Sequence, residues 1–586
     1  MDDHSLSKLE FGTIRERLAE HARSSLAKEQ IAALRPLSDV EAIREQLART
    51  AEVMDLLACH MEPPLGGLRD VRLPIKRAQL GVQLEIEQVL DVREVAELCG
   101  RAYEYWLRLT SDSPRIERLL SDVTDLRPLA RVIDEAIDER GKIRDDATAE
   151  LASIRAELAE WEARIAKEIA KLLRQAEVRS ALRYPQATMS GDHHVLPVAV
   201  NHRHKVAGVV HRTSASGETV YIEPTKVAEY SAEMSLLRSA EQREIRRVLR
   251  RLTDAIASKG RELATSLEAL TQLDFVASKA RMAREWGMSV PQIGTDGRLR
   301  LQQARHPLLE GVLRDENAKH PSSELREVVP ITVHLGESFE ILVITGPNTG
   351  GKTVVLKTVG LLSTMALSGL PIPADRGSVV PMFDQVLVDI GDEQSIEQSL
   401  STFSAHITRI TQILRTATER TLVLLDELGA GTDPSEGAAL GQAILDELRE
   451  RGCRGIVTTH LGDLKSYALR HARVENGAVE FDPETLRPTY RLLLGQFGES
   501  CALKVARRLQ VPRQLLARAY HHLRRRRGKG AAEMRQLQEM REVTERARAD
   551  AMDAQRKADE AEAEFRRREQ LLQQEVDVQK EIERFR

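Results

Sequence analysis

The segment ILVITGPNTGGKTVVLKTVGLL (Ile341–Leu362) runs from an apolar, β-branched stretch through a glycine-rich turn into a helix-period pattern. It reads as a buried strand over Ile341–Thr345 and a helix from Val354. Between them, Gly346-Pro347-Asn348-Thr349-Gly350-Gly351-Lys352-Thr353 fits G-x-x-x-x-G-K-[ST]. Glycines let backbone N–H groups turn inward at the positive end of the following helix, which makes a cradle for phosphate oxygens. In such a loop Lys352 is placed to reach the β- and γ-phosphates and the Thr353 hydroxyl to hold Mg²⁺. The bland alternative is a glycine-rich turn with a surface lysine, and the strand before and helix after argue against it.

A second element supports the first. TLVLLDE (Thr421–Glu427) is an apolar strand ending in two carboxylates. Asp426 is expected to hold Mg²⁺ and Glu427 to orient and deprotonate the attacking water, so ATP and Mg²⁺ are the implied cofactors. The turn-rich GAGTDPSEG (Gly429–Gly437) follows. Gly455–Thr459 reads as another buried strand, ending at His460, a candidate γ-phosphate sensor. A lone histidine at a strand end is more often structural, and the residues alone leave that choice open. The apolar runs Phe339–Ile344, Val386–Ile390, Thr421–Leu425 and Gly455–Thr458 alternate with helical stretches, which argues an α/β domain with a buried sheet.

The rest of the chain reads differently. A length of 586 residues exceeds what one core supports, so several domains are expected. Charged residues are 30%, aromatics 3% and apolar residues 42%, which suggests much exposed helix around packed cores. Residues 1–125 read as short amphipathic helices. Between Pro128 and Pro185 there is no proline and one glycine, Gly141, and apolar residues recur at helical spacing, which predicts one long helix. A second proline-free span runs from Lys226 to Val290. Between them His194–Val200, Val206–Ser214 and Thr219–Glu223 read as a small sheet at the tip of two helical levers. After Gly530, Ala547, Ala551, Ala554, Ala558, Ala561 and Phe565 step by alternating fours and threes, like a weak heptad seam.

The net charge of -4 does not announce nucleic-acid binding, so any basic surface must be local. The four cysteines form no C-x-x-C pair, which points away from a zinc site or a disulfide framework. No apolar run approaches the roughly 20 residues that span a bilayer, and the N-terminus lacks a signal-peptide layout. A cytoplasmic protein without membrane association is expected.

At these residues the chain is similar to the MutS family of DNA-binding ATPases. GPNTGGKT, STFSAHI (Ser401–Ile407), LLDELGAGTDPSEG (Leu424–Gly437) and TTH (Thr458–His460) occur in the family's order. LEFGTIRERLAEHA (Leu9–Ala22), DERGKIRDDAT (Asp138–Thr148), SASGETVYIEP (Ser214–Pro224), LDFVASKARMA (Leu273–Ala283), ARHPLL (Ala304–Leu309) and FDPETLRPTYRLLLGQFGES (Phe481–Ser500) resemble the second bacterial MutS type, which is linked to suppression of recombination.

The resemblance implies a multidomain protein: a helical core over 1–130, lever helices with a β-tipped clamp over 131–290 (clamp about 185–224), an ABC-like α/β P-loop ATPase over 291–515 and a C-terminal helical or coiled-coil segment over 516–586. It implies a homodimer in which Ser401 and Thr402 of one subunit approach the γ-phosphate bound to the other, with Asp433 in the loop joining the two sites. Without the resemblance, Ser401 and Thr402 read as a helix N-cap. The mismatch-reading domain with its Phe-x-Glu wedge has no counterpart; Phe497-Gly498-Glu499 is a coincidence beyond the ATPase core. The L-D-L-H-G and H-G-x-G motifs of the branch's small MutS-related nuclease domain do not occur, so cutting by that domain is not expected. Where the branch has Leu-Asn-Asn after the clamp, this chain reads Tyr230-Ser231-Ala232.

The clamp carries His193, His194, His202, Arg203, His204, Lys205, His211 and Arg212. Arg203, Lys205 and Arg212 are the expected phosphate donors, by contacts that are salt-sensitive and blind to base sequence. A solvated hairpin is the alternative. Metal binding by these histidines is not the expected use, because no helix-face His pair or cysteine accompanies them. Two functions fit the family: a clamp on branched DNA or recombination intermediates that suppresses recombination, or a ribosome-collision factor that binds rRNA and splits stalled ribosomes with ATP. The corresponding location is the nucleoid or the ribosome.

Overall fold

A computed structural model describes residues 1–526, apart from 110–111, 321–324, 347–349, 392–398, 483–487, 497–502, 504–505 and 508–509. The heptad-like stretch after Gly530 and the Phe497-Gly498-Glu499 tripeptide lie outside the described residues. The chain divides into two compact units. One comprises Met1–Gly336, Lys357–Val388 and Arg420–Leu422; the other comprises Glu337–Leu356, Asp389–Glu419 and Val423 onward.

The first unit is built on short helices packed around Gly260–Glu285. This helix is buried on almost every side, and its polar residues are therefore partnered inside the core. Asp274 accepts hydrogen bonds from the backbone N–H of Ser24 at 2.8 Å and of Arg23 at 3.1 Å, and from the Ser24 hydroxyl at 2.8 Å. Lys279 donates to Gln46 Oε1 at 2.7 Å and to the Gly369 carbonyl at 3.1 Å, with its ammonium 4.2 Å from the Phe275 ring centroid. A small sheet in the same unit has the order β5–β9–β6–β7, from β5 (Gln292–Gly294), β6 (Leu299–Ala304), β7 (Ile331–Leu335) and β9 (Val379–Pro381).

Both predicted lever helices are interrupted. The first is helical over Arg127–Asp134, turns over 135–148, and resumes as Ala149–Arg174 and Ala176–Ala181. The reason lies in side chains that compete with the helix for backbone partners. Asp138 Oδ1 accepts from the N–H of Arg140 at 2.9 Å and of Lys142 at 2.8 Å, while Gly141 takes a left-handed φ of 75°. The Thr148 hydroxyl then accepts from the Leu151 N–H at 3.1 Å and starts the new helix. Apolar periodicity survives the break because Ile137, Ile143 and Leu151 all remain buried. The second lever divides at Lys259 into Thr225–Ser258 and Gly260–Glu285. Gly260 lies so close to Gln79 that a Cβ would sit 2.5 Å from Nε2.

The helices Ala149–Arg174 and Thr225–Ser258 pair along their length. Ile165 and Ile169 pack with Val227 and Met234, and Arg155 reaches Glu241 at 2.7 Å. At about 1.5 Å per residue, the 26 residues of the first helix carry the tip roughly 40 Å along the pair. The tip is a four-stranded antiparallel sheet in the order β1–β2–β4–β3, one strand more than predicted. Its strands are β1 (Thr188–Ser190), β2 (His193–Ala199), β3 (Gly208–Thr213) and β4 (Thr219–Pro224), and a 3-10 turn over Val200–Lys205 follows β2. The tip has its own core of Val178, Ala181, Leu196, Val198, Val206, Val220 and Ile222.

In the second unit, β8 (Ile341–Thr345), β11 (Thr421–Leu425), β12 (Arg454–Thr459), β13 (Val474–Phe481) and β14 (Pro488–Leu494) run in the order β11–β12–β8–β13–β14. β12 and β13 flank β8 in parallel, with Thr459 and Ala478 both opposite Thr345. Buried on both faces, β8 and β11 read as continuous apolar runs, and their carboxyl ends present the turns that follow.

Burial of the Lys279 ammonium pushes its pKa down to about 7. Between that value and the ordinary lysine range, the unfolded chain holds a proton that the native state has released. Stability therefore rises with pH through this window, and below it both states are protonated. Relative to Lys279→Met, the wild type is expected to gain up to roughly 1.4 kcal/mol per pH unit above about pH 7. Denaturant unfolding at stepped pH measures this, and a pH-independent difference between the two proteins would refute it.

Candidate active site

β8 delivers the chain into its glycine turn with backbone that only glycine adopts freely: Gly346 has φ 143° and Gly351 φ 92°. Pro347, Asn348 and Thr349 lie outside the described residues; Gly350 and Gly351 close the turn, and the following helix begins at Lys352. The Lys352 side chain is buried and its Nζ donates to the Gly346 carbonyl at 2.8 Å. The ammonium is thus turned back onto the residue that opens the motif. Tyr490, on β14, packs against the same loop: a Cβ on Gly351 would lie 3.1 Å from its ring.

Asp426 follows directly on β11 and is buried. The Thr353 hydroxyl donates to its Oδ2 at 2.7 Å, and the Thr458 hydroxyl, from the end of β12, donates to its Oδ1. Thr458 Oγ1 also accepts from the Glu427 N–H at 2.8 Å. One hydroxyl therefore holds both acidic residues. Glu427 has φ 50°, the left-handed region that a non-glycine residue enters at a cost. This turns its side chain out of the strand direction set by Asp426.

The donor chemistry suits Mg²⁺. Thr353 and Asp426 offer hard oxygens, and their 2.7 Å separation is close to the about 2.9 Å between neighbouring ligands of an octahedral Mg²⁺.

The loop after Glu427 is closed by two glycines set back to back. A Cβ on Gly437 would sit 2.2 Å from the Gly429 carbonyl oxygen, and one on Gly429 2.6 Å from that of Gly437. Asp433 caps the helix Pro434–Glu450, accepting from the N–H groups of Ser435 at 2.9 Å and Glu436 at 3.4 Å. Those backbone bonds hold its carboxyl below the ordinary range. Ser401 and Thr402 lie within the first turn of the helix Ser399–Thr416, and their side chains are outside the described residues. His460 is exposed immediately after β12.

Sequence reasoning gave no role to Thr458, although it stands in the TTH motif. It also passed over Asp389, whose Oδ2 lies 2.8 Å from His406 Nδ1 and whose carbonyl accepts the Asp426 N–H at 2.9 Å. The signal was available: QVLVD ends in a carboxylate after an apolar run just as TLVLLD does. On the tip, Arg203 is exposed and Lys205 half-buried in the 3-10 turn. Arg212 is exposed on β3, with its guanidinium 4.3 Å from the Tyr221 ring centroid.

The family model for MutS domain V matches residues 342–526. Endonuclease MutS2 of Pelotomaculum thermopropionicum is 41% identical over 566 residues, which cover 97% of this chain and 69% of that protein. Endonuclease MutS2 of Bacillus velezensis is 41% identical over 528 residues, 89% of this chain and 65% of that protein. Putative endonuclease MutS2 of Bacillus subtilis is 40% identical with the same coverage. The chain thus spans about two thirds of the length of these relatives.

Replacing Thr458 by valine keeps the shape and removes the hydroxyl shared by Asp426 and Glu427. Loss of its bonds to the Glu427 N–H and the Asp426 carboxylate is expected to cost about 1–3 kcal/mol of stability. ATP turnover is expected to fall roughly tenfold or more, with nucleotide binding less affected. Steady-state turnover and nucleotide titration on the same variant separate the two, and wild-type turnover would show that the hydroxyl positions nothing.

Proposed function

The chain belongs to the MutS2 family and carries its domain V ATPase, and from that premise we propose that it is an ATP-hydrolysing clamp that binds branched DNA and suppresses homologous recombination. The observation that carries the chemistry is the bond from Thr353 to Asp426, which brings loop and acidic strand end together as one site.

In this reading the loop N–H groups and Lys352 bind the β- and γ-phosphates. Lys352 leaves the Gly346 carbonyl to do so, exchanging one oxygen acceptor for a charged one. Thr353 and Asp426 hold Mg²⁺, which when bound supplies neutralisation of phosphate charge. Glu427 takes a proton from the attacking water, and His460 contacts the γ-phosphate. Ser401, Thr402 and Asp433 act across a homodimer, each site being completed by the neighbouring subunit. Arg203, Lys205 and Arg212 make phosphate contacts at the tip, and Tyr221 beneath the Arg212 guanidinium holds it flat for that purpose. The relatives are named endonucleases; cutting is not part of this proposal.

Glu427→Gln is expected to bind ATP normally and to lose roughly 10²–10⁴-fold in turnover, because a carboxamide cannot accept the proton. Lys352→Ala is expected to weaken nucleotide binding itself. Wild-type turnover by Glu427→Gln would displace Glu427 as the base.

For the tip, Arg203→Ala, Lys205→Ala and Arg212→Ala combined are expected to weaken binding across DNA sequences. The salt dependence should flatten by about one counterion per lost contact, while ATP turnover without nucleic acid stays near wild type. Salt titrations with branched DNA and with ribosomes test this separately. A changed slope for ribosomes alone would replace DNA by rRNA as the partner, and unchanged slopes for both would make the tip a solvated hairpin.

A further inference from the structure

Among the described residues, His193, His211 and Glu223 form a cluster of metal-ligating side chains whose donor atoms all lie within 4.8 Å of one another. They come from three neighbouring strands of the tip: β2, β3 and, between them, β4. Local backbone brings them to one point. β3 carries a bulge between Val210 and Arg212, so His211 and Arg212 share the space opposite Tyr221. Arg212 turns onto the Tyr221 ring and His211 reaches Glu223. At Gly208 the strands approach so closely that a Cβ would fall 1.9 Å from the Glu223 carbonyl oxygen.

Both imidazoles point a nitrogen at the same carboxylate oxygen. His193 Nδ1 is 3.0 Å and His211 Nε2 2.8 Å from Glu223 Oε2. The ring centroids are 4.3 Å apart. His193 Nδ1 is buried and within ion-pair distance, yet misaligned for a hydrogen bond. If that nitrogen is unprotonated, its lone pair faces a carboxylate lone pair. If it carries the proton instead, its N–H is misaligned with the oxygen it faces. A cation between the three atoms removes both conflicts. The other carboxylate oxygen, Oε1, accepts from the Ser231 hydroxyl at 2.6 Å, which fixes the group as a second-layer partner fixes a metal ligand.

We propose that His193, His211 and Glu223 bind a divalent transition-metal ion, with Zn²⁺ the best fit, that pins β2, β3 and β4 together. Two nitrogens and one carboxylate oxygen suit zinc, whose ligands at about 2.0–2.1 Å lie roughly 3.3 Å from one another. The observed 2.8 and 3.0 Å contacts need only a small outward movement to reach that spacing. Mg²⁺ and Ca²⁺ take oxygen donors and do not suit the two imidazoles. His193 and Ser231 also line a cavity of about 440 Å³, so the cluster has open space on its His193 side.

The test uses the full chain, free of any polyhistidine tag, stripped with chelator, reloaded with Zn²⁺ and passed through gel filtration. About one equivalent of zinc per chain is expected to remain, and Co²⁺ in its place should give the intense visible bands of a four-coordinate ion. His193→Gln, at a half-exposed position, and His211→Gln should each lower zinc affinity by roughly tenfold or more, and Ser231→Ala should weaken it to a lesser degree. His204→Gln, on the exposed turn, should retain wild-type zinc. Zinc should slow amide hydrogen exchange over His193–Pro224 in the wild type and not in His193→Gln. Equal zinc retention by wild type and His193→Gln, or a purely six-coordinate Co²⁺ spectrum, would overturn the proposal.

Discussion

The Asp426 carboxylate is held at both oxygens by threonine hydroxyls that come from different parts of the chain. Thr353 stands at the start of the helix after β8, and Thr458 at the end of β12. A buried carboxylate without such partners would be costly to desolvate, so these bonds are a condition of the acidic strand end existing at all. They also set geometry. The parallel register that puts Thr459 opposite Thr345 brings the strand ends level, and the hydroxyls then convert that alignment into a fixed carboxylate. The left-handed turn at Glu427 is anchored by the same Thr458 oxygen, so the loop, the acidic pair and the β12 end share one hydrogen-bonded node.

The first unit solves a related problem with buried ionisable side chains. Its central helix carries Asp274, Lys279 and Arg281 in the interior. Asp274 is matched by backbone N–H groups at the start of the helix Ser25–Ala32 and lies 3.5 Å from Arg281. Lys279 is matched by carbonyl oxygens and an aromatic face. Such groups add little net stability against an apolar replacement, but they penalise packings in which their partners are displaced.

Much of this was legible in the residues. The strand, turn and helix around Lys352, the acidic strand end at Asp426 and the change of period at the tip are local patterns, and local patterns survive in a linear sequence. The first lever helix reads as unbroken because apolar spacing continues through 135–148. What stops the helix there is Asp138 bonding its own neighbours and Gly141 turning left-handed. Thr458 escaped assignment because its importance lies in two bonds to residues more than thirty positions away. His193, His211 and Glu223 converge only through strand order and a bulge that shifts register by one residue, and neither leaves a spacing signature. Ser401 and Thr402 are placed on a helix, while their side chains stay outside the described residues.

The paired helices that carry the tip have their chain entry and exit side by side. The Thr148 hydroxyl donates to Glu244 at 2.9 Å, and the Arg251 guanidinium reaches the Ala147 carbonyl at 3.4 Å. Beyond that gateway the stem and the tip have apolar clusters of their own. An insert whose two ends meet in this way can be lengthened, shortened or exchanged without moving the scaffold that receives it. Its length sets how far the tip reaches, and helical turns added in equal number to both strands of the stem would change that reach in steps of about 5.4 Å while leaving the gateway contacts alone. The stem is in this sense a ruler, and its length is free to change without altering the gateway that receives it.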